Sequence, residues 1–401
     1  MGGLSPCAKM CQLEIRPRVS YNGFMDETAK TLLELIKVSQ FGGEFTVPEG
    51  CDLDALYKEA SLQSVLGLVS PYVPSPRGKW EEASYRHTAN YVRYCYAEEQ
   101  LINVMDDIPF VILKGNAAAV YYKTPSERSM GDIDFQVLPS DFDRVKDLLI
   151  ESGYQLTQES EDYTRHIGLS RDGFSFELHR RFSHDIDLED LVVPGIEDRV
   201  TGDVDSHSFP MLPPLANGIV LLDHMRSHLQ SGLGLRQVID WMLYVNAELD
   251  DSFWNDSFGT VAKDKGLATL AVVTTRMCQK YLGLPADITW CSSASDALCD
   301  ELMENLLSSG NFGRKHGTGS KVETVTTAFK TEGVFRRLQR AGKHNWKLYK
   351  KHHWLLPFCW IYQAFRYLKQ GLFSGRGASG LRSDAARGKD RYELLKKLEI
   401  F

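Results

Sequence analysis

The chain has 401 residues, of which 43% are hydrophobic, 11% aromatic and 25% charged. These values are ordinary for folded proteins and exclude a collagen-like, low-complexity or wholly disordered chain. At about 150 residues per domain, the length predicts two or three domains. The eight cysteines form no CxxC pair. This pattern argues against a zinc ribbon or a disulfide framework and is typical of a protein in a reducing cytosol.

Charge is distributed unevenly along the chain. The total is −7, but residues 331–401 carry +11 and residues 1–330 carry −18. An acidic body therefore precedes a basic tail. We find neither a secretory signal nor an apolar stretch of the roughly 18 residues that would span a bilayer. We therefore expect a cytoplasmic protein that does not cross a membrane.

The first 107 residues predict a helical N-terminal region. Asp26 and Asp52 each precede apolar residues at helical spacing and are good N-caps. A longer helix is predicted from about Trp80 to Met105. No pattern in this region indicates chemistry.

Residues 108–185 predict a small mixed α/β core. Phe110–Leu113 and Asp132–Leu138 are strand patterns with a glycine turn and a helix between them. A helix capped by Ser140 and ending at Gly153 follows. Alternating residues from 164 to 182 surround an Asp-Gly pair, which is a strong hairpin signal.

Residues 186–330 predict a helical domain that closes a cleft over this core. Its segment 310–320 is rich in glycine and predicts a loop or linker, since it lacks the GK[ST] ending of a P-loop. Residues 331–401 form a basic, aromatic C-terminal region, with a flexible segment expected from Ser374 to Asp390.

Asp132 and Asp134 are the first candidates for chemistry. They stand two residues apart in a strand pattern, so both carboxylates should project from one face. Such close carboxylates repel unless a divalent cation bridges them, and hard oxygen ligands favour Mg²⁺ or Mn²⁺ over zinc. A phosphate substrate is the natural partner of this metal. The structural alternative is a solvated strand edge.

Glu177 is a candidate third carboxylate. It alternates with Phe176 and Leu178, so it and His179 should face away from that apolar pair. If its strand lies beside that of Asp134, the three carboxylates form a cluster able to hold two metals. The alternative is a surface residue.

A strand, a glycine turn and a helix precede this pair of aspartates. Gly115 permits a tight turn, after which the amides of Asn116 and the next residues would point from a helix N-terminus towards an anion. Lys114 adds positive charge, and Arg128 follows four residues before Asp132. Taken alone, the turn could be merely structural.

These residues together resemble a known family. The segment LKGNAAAVYYKTPSERSMGDIDFQVLPSDFDRVKDLLIESGY, followed by FELHRRF, is similar to the uncharacterised nucleotidyltransferase family of the DNA-polymerase-β-like superfamily. HMRSHLQSGLGLRQVIDW and SSGNFGRK also resemble it, so the likeness covers about residues 85–370. The resemblance implies an α+β fold, with a polymerase-β-like core between helical regions.

The resemblance also implies roles for individual residues. Gly115 and Asn116 would form the phosphate-holding turn, where many superfamily members have Gly-Gly or Gly-Ser. Asp132 and Asp134 would hold metal, and Glu177 would be the third carboxylate, acting as general base or orienting the nucleophile. Lys114 and Arg128 are assigned to the nucleotide.

The predicted function is metal-dependent nucleotidyl transfer. An acceptor hydroxyl attacks the α-phosphorus of an NTP, most simply ATP, and pyrophosphate leaves. The acceptor could be a small molecule, a glycan, a protein or a tRNA. The alternative is a non-catalytic nucleotide-binding or scaffold protein on the same fold.

Two helical features have open interpretations. His224 and His228 are i, i+4 on a predicted helix, and without a third ligand they suggest a structural or substrate-facing pair more than a metal site. Arg236 and Asp240 have the same spacing. They suggest a helix-surface ion pair, or an arginine that reaches the phosphates.

The basic tail mixes aromatic residues with cations. It could pack on the acidic body as an ordinary amphipathic helix, bind nucleic acid, or lie on an anionic membrane surface. Its segment 354–368 is too short to span a bilayer. We expect residues 331–401 to make at most weak contact with membranes or nucleic acid.

Overall fold

The computed structural model describes residues 25–73, 78–158, 165–183, 186–317, 319–372 and 378–401. The strands are β1 (Phe110–Leu113), β2 (Ile133–Val137), β3 (Gln155–Gln158), β4 (His166–Arg171), β5 (Phe174–His179), β6 (Val200–Val204) and β7 (His207–Met211). The helices are α1 (Glu27–Phe41), α2 (Leu53–Leu62), α3 (Leu66–Val69), α4 (Lys79–Met105), α5 (Gly115–Ala119), α6 (Phe142–Glu151), α7 (Glu189–Glu197), α8 (Pro214–Leu229), α9 (Leu235–Glu248), α10 (Asp251–Phe253), α11 (Gly259–Asp264), α12 (Ala268–Tyr281), α13 (Asp296–Ser309), α14 (Gly319–Glu332), α15 (Val334–Asn345), α16 (Lys347–Lys351), α17 (Cys359–Leu372) and α18 (Ala378–Lys397).

The N-terminal helices begin where their caps predict. The carboxylate of Asp26 accepts a hydrogen bond from the amide of Ala29, and that of Asp52 accepts from the amides of Asp54 and Ala55. Helix α4 begins at Lys79, one residue before the predicted start. The described residues of the N-terminal region thus contain the helices that the caps and spacing predict.

A seven-stranded mixed sheet in the order β3-β4-β5-β2-β1-β7-β6 forms the centre of the α+β fold. The predicted hairpin is β4–β5, whose turn residues Asp172 and Gly173 both have positive φ, at 52° and 81°. Strands β3, β6 and β7 were not predicted. Because β7 pairs with β1, the sheet extends to Met211, beyond the predicted core of residues 108–185.

The two faces of the sheet differ in polarity. One face carries apolar side chains, among them Phe135 and Leu178, which pack with α4 and α6. The opposite face presents Asp134, Glu177 and His179 at alternating positions of β2 and β5. On this side of the sheet, Lys114 and Asp134 are close enough to His228 of α8 to influence its pKa.

The basic C-terminal region has two different parts. Helix α18 returns to the body, and Leu394, Leu395 and Leu398 are buried in the same core as α13. Burying each of them contributes about 1.5–3 kcal/mol. The buried Glu323 pairs with Arg387 and Arg391 of this helix.

The prediction of a flexible segment from Ser374 to Asp390 is therefore wrong from Ala378 onwards, where the chain is helical. Residues 373–377 lie outside the described part of the chain. The ion pairs to Glu323 and the apolar end of α18 order a segment whose composition is polar. Helix α17 begins at Cys359, directly after a 3₁₀ turn that contains Pro357. Among the described residues, no helix is both long and apolar enough to span a bilayer.

Candidate active site

The pairing of β2 with β5 forms the centre of the site. The two strands are parallel, and Asp134 lies directly opposite Glu177 in the register. Asp134 is only 3% exposed, whereas Glu177 is half-buried. Neighbouring strands lie about 4.8 Å apart, so the register brings two carboxylates to one point on the polar face.

Asp134 has two positively charged or hydrogen-bonding neighbours. Lys114 Nζ lies 2.7 Å and His179 Nε2 lies 2.9 Å from the same oxygen, Oδ1. Burial would raise the pKa of Asp134, but the charge of Lys114 and the hydrogen bond to His179 outweigh it and hold the pKa well below its usual value. Asp134 is therefore ionised at neutral pH.

His179 connects the two carboxylates. Its Nε2 is also 3.5 Å from Glu177 Oε2. Burial opposes protonation of His179, but its hydrogen bonds to Asp134 and Glu177 raise its pKa above the usual value. The same contact with His179 lowers the pKa of Glu177, which is therefore also a carboxylate at neutral pH.

Asp132 lies just before β2, at the solvent-exposed mouth of the site. Crowding by protein atoms and the nearby charge of Asp134 raise its pKa. Asp132 and Glu177 both border an open pocket of about 290 Å³ next to β4 and β5. Two of the three acidic residues predicted from the sequence thus line one opening, which is large enough for a small polar group, and the buried Asp134 lies opposite Glu177 in the register.

Three side chains are close enough to share one cation. Ligand atoms of Asp134, Glu177 and His179 all lie within 4.8 Å of one another. The sequence predicted a cluster of three carboxylates, whereas this tightest group contains an imidazole and leaves Asp132 outside. The alternation along β5 already placed His179 on the same face as Glu177, and that signal could have identified it.

The turn before α5 has unusual backbone geometry. Lys114 and Gly115 both have positive φ, at 55° and 36°, and the helix begins at Gly115. Amides in the first turn of a helix have no acceptor within it. The side chain of Asn116, however, points away from the site, with Nδ2 3.3 Å from Glu98 of α4. Only its backbone is placed to contribute to an anion site.

Arg128 is paired with Asp240 in the interior. Its Nε and Nη2 donate to the two carboxylate oxygens of Asp240 at 2.8 and 2.7 Å, and Tyr122 donates to Oδ1 of the same carboxylate at 2.7 Å. This pair joins the turn after α5 to helix α9. The helix-surface pair considered for Arg236 and Asp240 is therefore replaced by a buried pair between Arg128 and Asp240.

Arg236 is the cation that lies nearer to the opening. Its Nη1 donates to the backbone carbonyl of Ser129 at 3.1 Å, and its Nε has no hydrogen-bond partner among the described residues. Burial and the charge of Arg128 lower its pKa, while the charges of Asp240 and, less strongly, of Tyr122 and Asp132 oppose this effect. Arg236 is thus a cation with spare donors beside an exposed carboxylate.

Helix α8 contributes a pair of histidines. The Nε2 atoms of His224 and His228 are 2.9 Å apart. Burial, followed by the charges of Lys114 and Arg236, lowers the pKa of His228 to about 3. The ring of Phe312 packs edge-on against His228, with centroids 4.7 Å apart, and remains about half exposed. The pair is therefore neutral and lies within the electrostatic influence of the site.

Carboxylates on a mixed sheet, with cations of the turn and of α9 beside them, define a site suited to a divalent cation and a phosphate group. A family model described as "Uncharacterised nucleotidyltransferase" matches residues 52–283. The chain belongs to this family, which supports a general role in nucleotidyl transfer.

The matched range begins earlier and ends earlier than the likeness read from the sequence. It includes α2 and ends in the turn after α12, so the SSGNFGRK segment lies beyond it. No curated protein and no solved structure matches the chain.

Proposed function

We propose that this protein is a metal-dependent nucleotidyltransferase that moves an NMP from an NTP to an acceptor hydroxyl. The observation that carries the proposal is the register of β2 and β5, which sets Asp134 beside Glu177 with Asp132 at the same opening. Two ionised carboxylates this close are favourable where a cation and a polyphosphate bind.

The residues present fit a divalent cation. Asp134 and Glu177 would hold it, with Asp132 on the exposed side and His179 as a further ligand or as a hydrogen-bond donor to Asp134. When bound, Mg²⁺ or Mn²⁺ would supply positive charge to the triphosphate. An imidazole ligand would favour Mn²⁺ more than a set of oxygens alone would.

Glu177 is the candidate general base. Because its pKa is lowered and its side chain is about a third exposed, it offers an ionised oxygen to an incoming hydroxyl. In the proposed step, the acceptor oxygen bonds to the α-phosphorus and its proton passes to Glu177. The bond from the α-phosphorus to the β-phosphate oxygen breaks, and pyrophosphate leaves.

The triphosphate would lie near Lys114 and Arg236. Arg236 has spare donors, and the amides of Gly115 and Asn116 open the helix beside Lys114. Arg128 would have to leave Asp240 to reach a phosphate, so we assign to Arg236 the contact that the sequence suggested for Arg128. ATP is the simplest donor. Small molecule, glycan, protein and tRNA all stay open as acceptors.

Free cysteines support a cytoplasmic location. Each cysteine in the described part of the chain is a free thiol, as expected in a reducing compartment. The contact of residues 331–401 with an anionic surface or nucleic acid is a separate proposal.

One observation favours the alternative of a non-catalytic nucleotide-binding protein. Lys114 pairs with Asp134 at 2.7 Å, so one metal-binding carboxylate already has a counter-ion within the chain. A cation would compete with Lys114 for this oxygen. Such an arrangement is compatible with binding a nucleotide without turning it over.

The test measures binding and transfer separately. Purified protein is titrated with each NTP, with and without Mg²⁺ or Mn²⁺, and then incubated with α-labelled NTPs and a cell extract. We expect metal-dependent binding and label transfer to one class of molecule, which Glu177→Gln should abolish and Asp198→Asn, an exposed control, should not. Binding without transfer would favour the alternative, and absence of NTP binding would exclude both.

A further inference from the structure

The segment from Val334 to Leu372 has an extreme composition. Its 39 residues contain nine Lys and Arg, nine aromatic residues and no Asp or Glu. It comprises α15, α16 and α17, with a 3₁₀ turn between the last two. We refer to it as the basic hairpin.

The basic hairpin packs chiefly on itself and on α14. Helices α15 and α17 meet at Gly342, where an added Cβ would collide with the carbonyl oxygen of Cys359. Only glycine permits this approach. Asn345 Nδ2 donates to Gln363 at 3.2 Å, and the rings of Trp346 and Tyr362 stack. These contacts give the hairpin an interior of its own, distinct from the buried core that α18 joins.

Its outer surface is unusually apolar. The described part of the chain exposes fifteen large hydrophobic side chains, and eight of them lie between residues 334 and 365. Trp354 is 72% exposed and Phe365 is 69% exposed. The others are Val334, Phe335, Leu348, Leu356, Phe358 and Trp360. Clustered exposure of this kind marks a surface that meets a partner.

The same surface carries charge that the chain does not neutralise. Arg337 and Arg340 pair with Glu332 of α14. The remaining cations with described side chains have no carboxylate partner among the described residues. They are Arg336, Lys343, Lys347, Lys351, Arg366 and Lys369.

We propose that the basic hairpin docks on an anionic membrane surface. Trp and Phe side chains enter the boundary between headgroups and acyl chains, while Lys and Arg contact anionic headgroups. Exposed Leu348, Leu356 and Val334 also favour a lipid phase, because aliphatic side chains offer no stacking face to a nucleic-acid base. Two hairpins would repel each other, which disfavours a contact between identical surfaces.

The charge part of the test compares vesicles of two compositions. The full-length protein is floated with phosphatidylcholine vesicles that contain about 30 mol% phosphatidylserine or none, at about 0.15 and 0.5 M salt. We expect binding to the anionic vesicles alone, and a steep decrease at high salt. Lys347→Glu with Lys351→Glu should weaken binding about tenfold or more. Lys58→Glu with Lys263→Glu, two exposed lysines of the acidic body, is the matched control and should change binding little.

The apolar part of the test replaces the two most exposed rings. Trp354→Ala with Phe365→Ala should weaken vesicle binding about tenfold. Tyr85→Ala with Tyr96→Ala removes two similarly exposed rings from α4 and should leave binding unchanged. All four residues are exposed, so each double variant should keep the melting temperature of the parent protein, which is measured alongside.

Several outcomes would overturn the proposal. Equal binding to neutral and anionic vesicles, no binding to either, or equal loss in the control variants would each reject it. Binding of tRNA more tightly than anionic vesicles, with the same sensitivity to Trp354→Ala, would identify nucleic acid as the partner instead. Salt-sensitive self-association without vesicle binding would indicate docking of the hairpin on the acidic body of a second copy.

Discussion

Two clusters of charged side chains lie close together in this protein. They differ in how completely their charges and hydrogen-bonding groups are paired within the chain. In the first, Arg128 and Asp240 meet through two parallel hydrogen bonds, and Tyr122 fills a further position on the carboxylate. In the second, Lys114 and His179 both contact one oxygen of Asp134, and Glu177, about a third exposed, lies beside it. The first cluster is closed and joins α9 to the turn after α5. The second opens towards solvent, where a ligand can complete it.

This difference suggests that the two clusters serve different purposes. A buried pair whose donors and acceptors already match one another has no capacity left for a substrate. A cluster with two ionised carboxylates on one side keeps unfavourable repulsion that a bound cation relieves. Removing a charge from each cluster should therefore change different properties of the protein.

The largest expected effect is on activity and comes from the open cluster. Asp134→Asn should reduce nucleotidyl transfer by about 10³-fold, because the amide removes a metal-binding charge while keeping the shape of the side chain. The unfolding free energy should change by only about 1–2 kcal/mol, since Lys114 can turn towards Glu177. Label transfer and urea denaturation measure the two effects. Full activity in Asp134→Asn would remove this carboxylate from the mechanism.

The closed cluster should give the opposite result. Arg128→Met leaves Asp240 buried without its cation and should destabilise the fold by about 3–5 kcal/mol. Arg128→Met with Asp240→Leu should recover much of this loss, because a buried ion pair replaced by apolar groups is often close to neutral. Urea denaturation of both variants checks this. If Arg128→Met instead stays stable and loses NTP binding, the phosphate contact read from the sequence is correct.

Replacing Arg236 should have an effect of intermediate size, and this effect should be limited to the affinity for NTP. Arg236→Met removes a charge-assisted hydrogen bond to phosphate and should raise the Kd for NTP about tenfold or more. The melting temperature should change little, because among the described residues the hydrogen bond of this guanidinium is to the carbonyl of Ser129 and to no carboxylate. Arg199→Met, at an exposed arginine that also contacts a backbone carbonyl, is the control. Equal NTP affinity in both variants would contradict the proposed role.

The smallest expected effect concerns pH and the neutral histidine pair. The pKa of His228 is about 3 in the folded protein and about 6.5 in the unfolded chain, so the unfolded state binds the proton first as pH falls. Below about pH 6.5 this residue therefore destabilises the fold, by about 2 kcal/mol at pH 5. His228→Gln should make the unfolding free energy less dependent on pH between 7 and 5.

His352→Gln, at an exposed histidine of the basic hairpin, is the control for this pH effect. An unchanged pH dependence in His228→Gln would indicate that the histidine is charged, or reached by solvent, in the folded state.

Local chemistry was sufficient to predict much of the fold. The caps Asp26 and Asp52 and the Asp-Gly hairpin at 172–173 depend on neighbouring residues, and all were predicted. The strand β6 was not predicted, because Val200–Val204 is mostly exposed and contains a central glycine. Such an edge strand is stabilised by pairing with β7 and has little apolar pattern of its own.

The candidate site, too, was predicted from the sequence only in part. The spacing of Asp132 and Asp134, and of Glu177 and His179, already placed each pair on one face of a strand. The sequence could not show that β2 and β5 are neighbours in register, nor that Lys114 pairs with Asp134. It also could not show which of Arg128 and Arg236 forms a structural ion pair and which is free to contact the substrate. That division depends on which guanidinium reaches Asp240 across more than a hundred residues of chain.

The sequence by itself determined the polarity and periodicity of each segment, the family and the net charge of the tail. Only the tertiary structure decided that α18 joins the core while the basic hairpin keeps its apolar residues outside. The physical reason is that periodicity shows which residues of a helix share a face but does not show which surface covers that face. For α18 the covering surface lies within the chain, through Glu323 and the apolar residues of the core.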